Sequence, residues 1–118
     1  MSDARIVRRY RDTDITLHTA TSLATTLDMR DVAGAVVSFG TMSTNTISLQ
    51  MWGSHRAEEP FRQLFKVDGS AANITLAPST TVGRIYSLPD EVFAVEFLKI
   101  VSATTNSTGV TGVVMFKS

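Results

Sequence analysis

The chain contains 118 residues, of which 11 are basic and 11 acidic, and it has no cysteine. This length predicts one domain with one hydrophobic core, and the lack of cysteine excludes disulfides and thiolate metal sites. The zero formal net charge argues against a nucleic-acid partner, because phosphate binding needs an excess of Lys and Arg. It also argues against a membrane partner, and no apolar run reaches the ~18 residues of a spanning helix.

The first fourteen residues are polar and rich in arginine. Four of the eleven basic residues fall within seven positions, and they are Arg5, Arg8, Arg9 and Arg11. One interpretation is a solvated tail. The other is an arm that becomes ordered against an acidic neighbour, since a guanidinium group can pair with a carboxylate through two parallel hydrogen bonds. We predict an extended arm over residues 1–14 and a folded domain over residues 15–118.

Short segments with the composition and spacing of β-strands follow one another through the rest of the chain. The predicted strands cover residues 15–19, 34–39, 47–52, 61–67, 73–76, 82–88, 93–101 and 110–117, and residues 23–29 are either a further strand or a polar connection. Asp68-Gly69 is a typical hairpin turn. About eight strands at this spacing predict an all-β fold, an antiparallel β-sandwich of jelly-roll type. An immunoglobulin-type sandwich is the alternative, although its Cys–Trp–Cys framework is missing.

The most apolar predicted strand, residues 93–101, has large side chains on both faces. On one face lie Phe93, Val95, Phe97 and Val101. We predict that this face lies in the core, with Phe97 near the centre. Leu98 and Ile100 on the other face indicate a central strand or one covered by another subunit. The remaining residues of the predicted core are Ile47, Leu49, Met51, Leu76 and Val114.

Candidate catalytic and ligand-binding residues are few. His18 and His55 are the two histidines, whereas a zinc site normally collects three or four ligands. Ser54 precedes His55, but no Gly-x-Ser-x-Gly turn surrounds it. Trp52 could stack on a sugar, yet sugar-binding faces usually carry several aromatic residues, so we favour a structural role at a strand end. The sequence predicts no enzyme activity, no metal site and no cofactor.

A particular order of motifs runs through the chain from residue 32 to residue 117. One predicted strand ends in Trp52-Gly-Ser, and a polar loop then leads to Pro60-Phe-x-x-Leu-Phe-x-x-Asp-Gly69. Later, Leu88-Pro89 leads into the apolar strand that contains Lys99. This order resembles the small β-sandwich structural proteins of tailed bacteriophages, including their head decoration (cement) proteins.

The resemblance implies a non-enzymatic virion protein that binds the major capsid protein and stabilises the head against the pressure of packaged DNA. It implies a homo-oligomer, a dimer or trimer, made in the bacterial host cytoplasm and located on the capsid surface. Terminal arms of such proteins commonly reach the capsid or sister subunits. The expected contacts are therefore Arg5, Arg8, Arg9, Arg11, Leu98 and Ile100. Two alternatives remain open, namely another virion component (tail, neck or fibre-associated) and a carbohydrate-binding β-sandwich module.

Overall fold

The computed structural model describes residues 10–41, 46–58, 60–77, 81–103 and 109–117. These residues form nine β-strands and two short 3-10 helices, at Thr21–Leu23 and Asp90–Ala94. The strands are β1 (Tyr10–Thr16), β2 (Leu27–Asp28), β3 (Gly34–Phe39), β4 (Ile47–Ser54), β5 (Arg62–Gln63), β6 (Ile74–Leu76), β7 (Arg84–Ser87), β8 (Phe97–Ser102) and β9 (Thr111–Lys117). The all-β prediction is confirmed.

The strands form two antiparallel sheets packed face to face. The first sheet has the order β1-β9-β3-β7, and the second has the order β2-β8-β4, with β5 and β6 both paired to the far side of β4. β5 and β6 pair with successive parts of β4, so together they occupy the place of one strand. Counted in this way, the eight strands follow the connectivity of a jelly roll, which distinguishes the fold from the immunoglobulin-type alternative.

The alternation of side chains along the central strands builds the core. In β4, Ile47, Leu49 and Met51 are fully buried, while the residues between them are half-buried. Leu76 and Val114 are fully buried as well, so these five predicted core positions are confirmed. Each buried aliphatic side chain contributes roughly 1.5–3 kcal/mol relative to leaving it exposed.

The prediction that the Phe97 side of residues 93–101 faces the core is wrong. Leu98 and Ile100 are 0% and 4% exposed and belong to the core cluster. Phe97 is half-buried on the opposite face, opposite Ser54 of β4, while Val95 is half-buried at the margin of the core. The physical reason is that residues 90–94 form a 3-10 helix, so the alternation that starts at Phe93 does not continue in phase into β8.

The outer side of β8 is covered by other parts of the same chain. Val101 is 2% exposed and Lys99 is 7% exposed. The Lys99 ammonium group donates a hydrogen bond to the Thr21 carbonyl oxygen at 2.7 Å and lies 4.7 Å from the centre of the Phe61 ring. β8 is thus a central strand with both faces buried within one chain. This agrees with the first of the two interpretations given above, a central strand, and its burial needs no second subunit.

The first strand begins earlier than predicted. β1 starts at Tyr10 and pairs with β9 along its whole length, so the predicted boundary at residue 14 falls inside a strand. β1 has a largely polar sequence, and its single fully apolar side chain, Ile15, is buried. The neighbouring β9 supplies the apolar partners that the sequence of β1 lacks.

Candidate interaction surfaces

The outer side of the first sheet carries apolar side chains across three of its four strands. We call this surface the outward face. The strand register aligns Asp12, Met115, Val36 and Ser87 in one cross-strand row, and Asp14, Val113, Ser38 and Ile85 in the next. Such directly opposed residues lie on the same side of a sheet. The outward face therefore has an apolar centre and an acidic border along β1.

Exposure on the outward face is high for apolar residues of this size. Ile85 is 63% exposed and Tyr10 is 74% exposed, while Val36, Val113 and Met115 are half-buried. An antiparallel sheet with one side in water normally places polar residues on that side. Contiguous apolar area at the surface is a common sign of a binding site for another protein.

A pocket of about 450 Å³ opens at one end of the first sheet. We call it the end pocket. It lies partly on the outward face, because Tyr10, Val36, Ser87 and Met115 line it. Leu88 and Phe93 add to its apolar lining, and two opposite charges, Asp90 and Lys117, border it. Its position follows from the topology, because β9 ends beside the start of β3 while the short helix at Asp90–Ala94 follows β7.

A short hairpin projects where the chain passes from β5 to β6. Its base is closed by the pairing of Phe65 with Ala71, and its turn contains Gly69 at a φ of +89°, a conformation that glycine adopts at low cost. The Asp68-Gly69 turn prediction is confirmed. Phe65 is 56% exposed, and Val67 is as exposed as in an extended peptide, at 110%.

Side-chain hydrogen bonds stiffen the hairpin turn. One carboxylate oxygen of Asp68 accepts hydrogen bonds from the Ser70 backbone N–H at 2.9 Å and from the Ser70 hydroxyl at 2.6 Å. These bonds favour the charged carboxylate and lower the pKa of Asp68 below its ordinary value. The backbone N–H groups of Lys66 and Gly69 donate to the carbonyl oxygens of Ser70 and Lys66. The hairpin thus presents two large apolar side chains on a fixed backbone.

Arg11, which was expected to be a contact for a partner, is engaged within the chain. Its guanidinium group lies 4.3 Å from the centre of the Phe116 ring and donates a hydrogen bond to the backbone oxygen of Asp28. Because β1 belongs to the first sheet and β2 to the second, Arg11 ties the two sheets together at their open edge. The other three predicted arm contacts, Arg5, Arg8 and Arg9, lie outside the described residues.

A second arginine forms the neighbouring part of this edge. Arg30 pairs with the Asp28 carboxylate at 2.8 Å and lies 5.0 Å from the centre of the Phe97 ring. The hydrogen bonds from the Arg30 side chain and backbone lower the pKa of Asp28 to about 2. The two predicted surface contacts in β8, Leu98 and Ile100, lie in the core and cannot bind a partner in this fold.

The residues considered for catalysis or ligand binding are separated from one another. His18 is half-buried after β1, and His55 is exposed after β4. Within the described ranges, no group of three or more His, Cys, Asp or Glu side chains is placed to hold a metal ion. Trp52 is half-buried on the outer side of the second sheet, where its indole N–H donates to Gln50 Oε1 at 3.1 Å.

Comparison of the chain with protein-family models, curated proteins and solved structures returned no match. In the part of the chain that the structure describes, no helix has the length and apolar character needed to cross a membrane. The sequence analysis missed the outward face and the exposure of Phe65 and Val67 on the hairpin. The signal for the outward face was present in residues 113–116, where four large apolar side chains follow one another.

Proposed function

We propose that this chain is a non-enzymatic structural protein of a bacteriophage virion, a capsid decoration protein that binds the major capsid protein. The observation that carries the proposal is the outward face, which presents Val36, Val113 and Met115 flanked by the exposed Ile85 and Tyr10. Such a face gains stability by being covered, and apolar side chains spread over several strands suit a broad protein partner better than a small molecule.

The order of motifs supports the choice of a capsid as that partner. The resemblance to small phage β-sandwich proteins covers residues 32–117, and the jelly-roll connectivity seen here is compatible with it. In this proposal the outward face lies on the shell and bridges neighbouring capsid subunits. Covering its apolar centre would contribute roughly 25 cal/mol for each Å² of apolar area removed from water, before the costs of association.

The arm is proposed to add to this attachment. Arg5, Arg8 and Arg9 precede Tyr10, which itself borders the outward face. Acidic groups on a capsid surface would accept charge-assisted hydrogen bonds from these guanidinium groups. Arg11 is not assigned to the contact, since its guanidinium group already packs on the Phe116 ring and donates a hydrogen bond to the backbone oxygen of Asp28.

The test is a binding assay with phage heads that lack this protein. Ile85→Asp places a charge on the outward face. Leu23→Asp is the matched control, because the two side chains are 63% and 64% exposed and Leu23 lies in the 3-10 helix at Thr21–Leu23, outside the first sheet. We expect Ile85→Asp to lower head occupancy at least tenfold, while Leu23→Asp binds like the unchanged protein. Circular dichroism and thermal melting confirm that both variants are folded.

Equal occupancy for the two variants would refute the role of the outward face. Electron microscopy of labelled particles separates the other virion locations, because label on tails, necks or fibres would refute the capsid assignment. A glycan array with Trp52→Ala as its comparison tests the carbohydrate-binding alternative. Specific glycan binding lost in Trp52→Ala would favour that alternative over the capsid.

A further inference from the structure

The first sheet ends at β7, whose outer edge has no strand beside it in the described part of the chain. The Leu88 N–H donates to the Ala35 carbonyl oxygen and continues the register between β7 and β3. Backbone groups of successive residues point to alternate sides of a strand, so those of Ile85 and Ser87 point away from β3. Both residues are exposed. This edge therefore presents donors and acceptors to which a further strand can bind.

The opposite edge of the same sheet, β1, is unsuited to pairing with its own copy. Asp12 and Asp14 lie on the same side of β1. In an antiparallel pair about a twofold axis, every register that aligns most of β1 sets a carboxylate of one copy opposite a carboxylate of the other. Directly opposed like charges are destabilising, and charged side chains commonly protect edges in this way. The edge strands of the second sheet have only two or three residues each.

We propose that β7 of one copy of this chain pairs with β7 of a second copy, antiparallel and about a twofold axis perpendicular to the first sheet. In the assigned register, Ile85 lies opposite Ile85 of the second copy, and Ser87 lies opposite Gly83. The backbone groups of these residues point toward the new strand and form its hydrogen bonds. Arg84 lies opposite Tyr86, so no like charges face each other across the contact.

Two features favour this register over the neighbouring one, in which Tyr86 would lie opposite Tyr86. In that alternative Pro89 would stand at a position that needs a backbone N–H, which proline lacks. It would also place Ile85 opposite Ser87. The assigned register instead brings together two isoleucine side chains that are each 63% exposed, and apolar pairs between opposed strands are stabilising.

The contact lies in the plane of the first sheet and leaves the outward face open. A twofold axis perpendicular to the sheet sets both outward faces on the same side, so the two four-stranded sheets become one continuous sheet. The pairing itself needs no capsid. Its consequence rests on the proposed function, because the dimer would present both apolar surfaces to the capsid together. Self-association measured without phage heads therefore tests this inference separately from head binding.

Proline substitution on the two edges of the first sheet tests the pairing. Ser87→Pro removes an N–H that points away from β3, a position where edge strands tolerate proline. Asp14→Pro is the matched control, because the Leu17 N–H donates to the Val110 carbonyl oxygen, and the alternation in β1 then turns the Asp14 N–H away from β9. Circular dichroism and thermal melting check that both variants are folded.

Sedimentation velocity of the unchanged chain should show a concentration-dependent dimer. We expect Ser87→Pro to raise the dimer dissociation constant about tenfold or more, because it removes a donor of the new ladder, and Asp14→Pro to leave it unchanged. A monomer at every concentration, or equal weakening by the two prolines, would overturn the proposal.

Disulfide trapping tests the register, since the chain has no cysteine of its own. Arg84 and Tyr86 of the second copy form a pair without hydrogen bonds, whose Cα atoms lie about 4.5 Å apart, a separation that a disulfide can span. Mixing Arg84→Cys with Tyr86→Cys under mild oxidation should give a covalent heterodimer. Replacing Arg84→Cys by Leu23→Cys, at an exposed position outside the first sheet, should give far less. Equal trapping with Leu23→Cys would contradict the pairing, and a predominant Tyr86→Cys homodimer would overturn the assigned register.

Discussion

Replacing the large residues of β8 one at a time tests the arrangement of its faces. Leu98 is fully buried in the core, so Leu98→Ala removes apolar contacts and leaves a cavity. Such changes cost about 2–5 kcal/mol, and we expect ~3 kcal/mol here. Phe97 is half-buried beneath the Arg30 guanidinium group. Phe97→Ala loses part of its burial and a cation–π contact of ~0.5–1 kcal/mol, for which we expect ~1–2 kcal/mol in total.

The two variants are compared by urea unfolding and by thermal melting. For a chain of 118 residues, the entropy of unfolding is about 0.25 kcal/mol/K. Leu98→Ala should therefore lower the Tm by ~12 °C and Phe97→Ala by ~4–8 °C. If Phe97→Ala cost clearly more free energy than Leu98→Ala, the inward direction of Leu98 would be refuted. Equal m-values for both variants establish that the denatured states are comparable.

Three further changes test other parts of the structure. In Gly53→Ala, the new Cβ would lie 2.6 Å from Val95 Cγ1, so the Tm should fall, and adding Val95→Ala should restore part of it. The Asp28 pKa is lowered from 3.8 to about 2, so its stabilising contribution is present above pH 3.8 and disappears as the pH falls through 2. Asp28→Asn should flatten the stability profile over this interval in acid titrations followed by circular dichroism. Asp68→Ala should accelerate hydrogen exchange of the Ser70 amide, because the carboxylate that accepts this N–H at 2.9 Å is gone; unchanged exchange would argue against a stiff turn.

The fold could be predicted from the sequence where one alternation ran through a whole strand. Ile47, Leu49 and Met51 occupy one face of β4 without interruption, and all three are fully buried. The prediction of the core face failed over residues 93–101, where a helix ends and a strand begins within one apolar segment. Phe93 lies in the helix at Asp90–Ala94 and Phe97 begins β8, so their separation of four residues does not place them on one strand face.

The candidate surfaces depend on contacts between distant parts of the chain, which the sequence does not reveal. Arg11 was assigned to the arm because its neighbours are polar, but its side chain packs on Phe116, near the other end of the chain. The hairpin turn was predicted from Asp68-Gly69. The exposure of Val67 was not, because a strand pattern cannot show that the hairpin leaves the edge of the sheet between β5 and β6.

β8 and β9 both have apolar residues on their outer sides, but only the outer side of β8 is covered by the rest of the chain. Each is a central strand of its sheet and carries large apolar residues on both faces. On the outer side of β8, Val101 is 2% exposed, and Phe61 and Thr21 hold Lys99 over the same face. The outer side of β9 has Val113 and Met115 half-buried beside the acidic border on β1. The outer apolar side chains of β8 are therefore used for packing within the chain, whereas those of β9 remain partly in water. A protein partner would gain most by binding over β9.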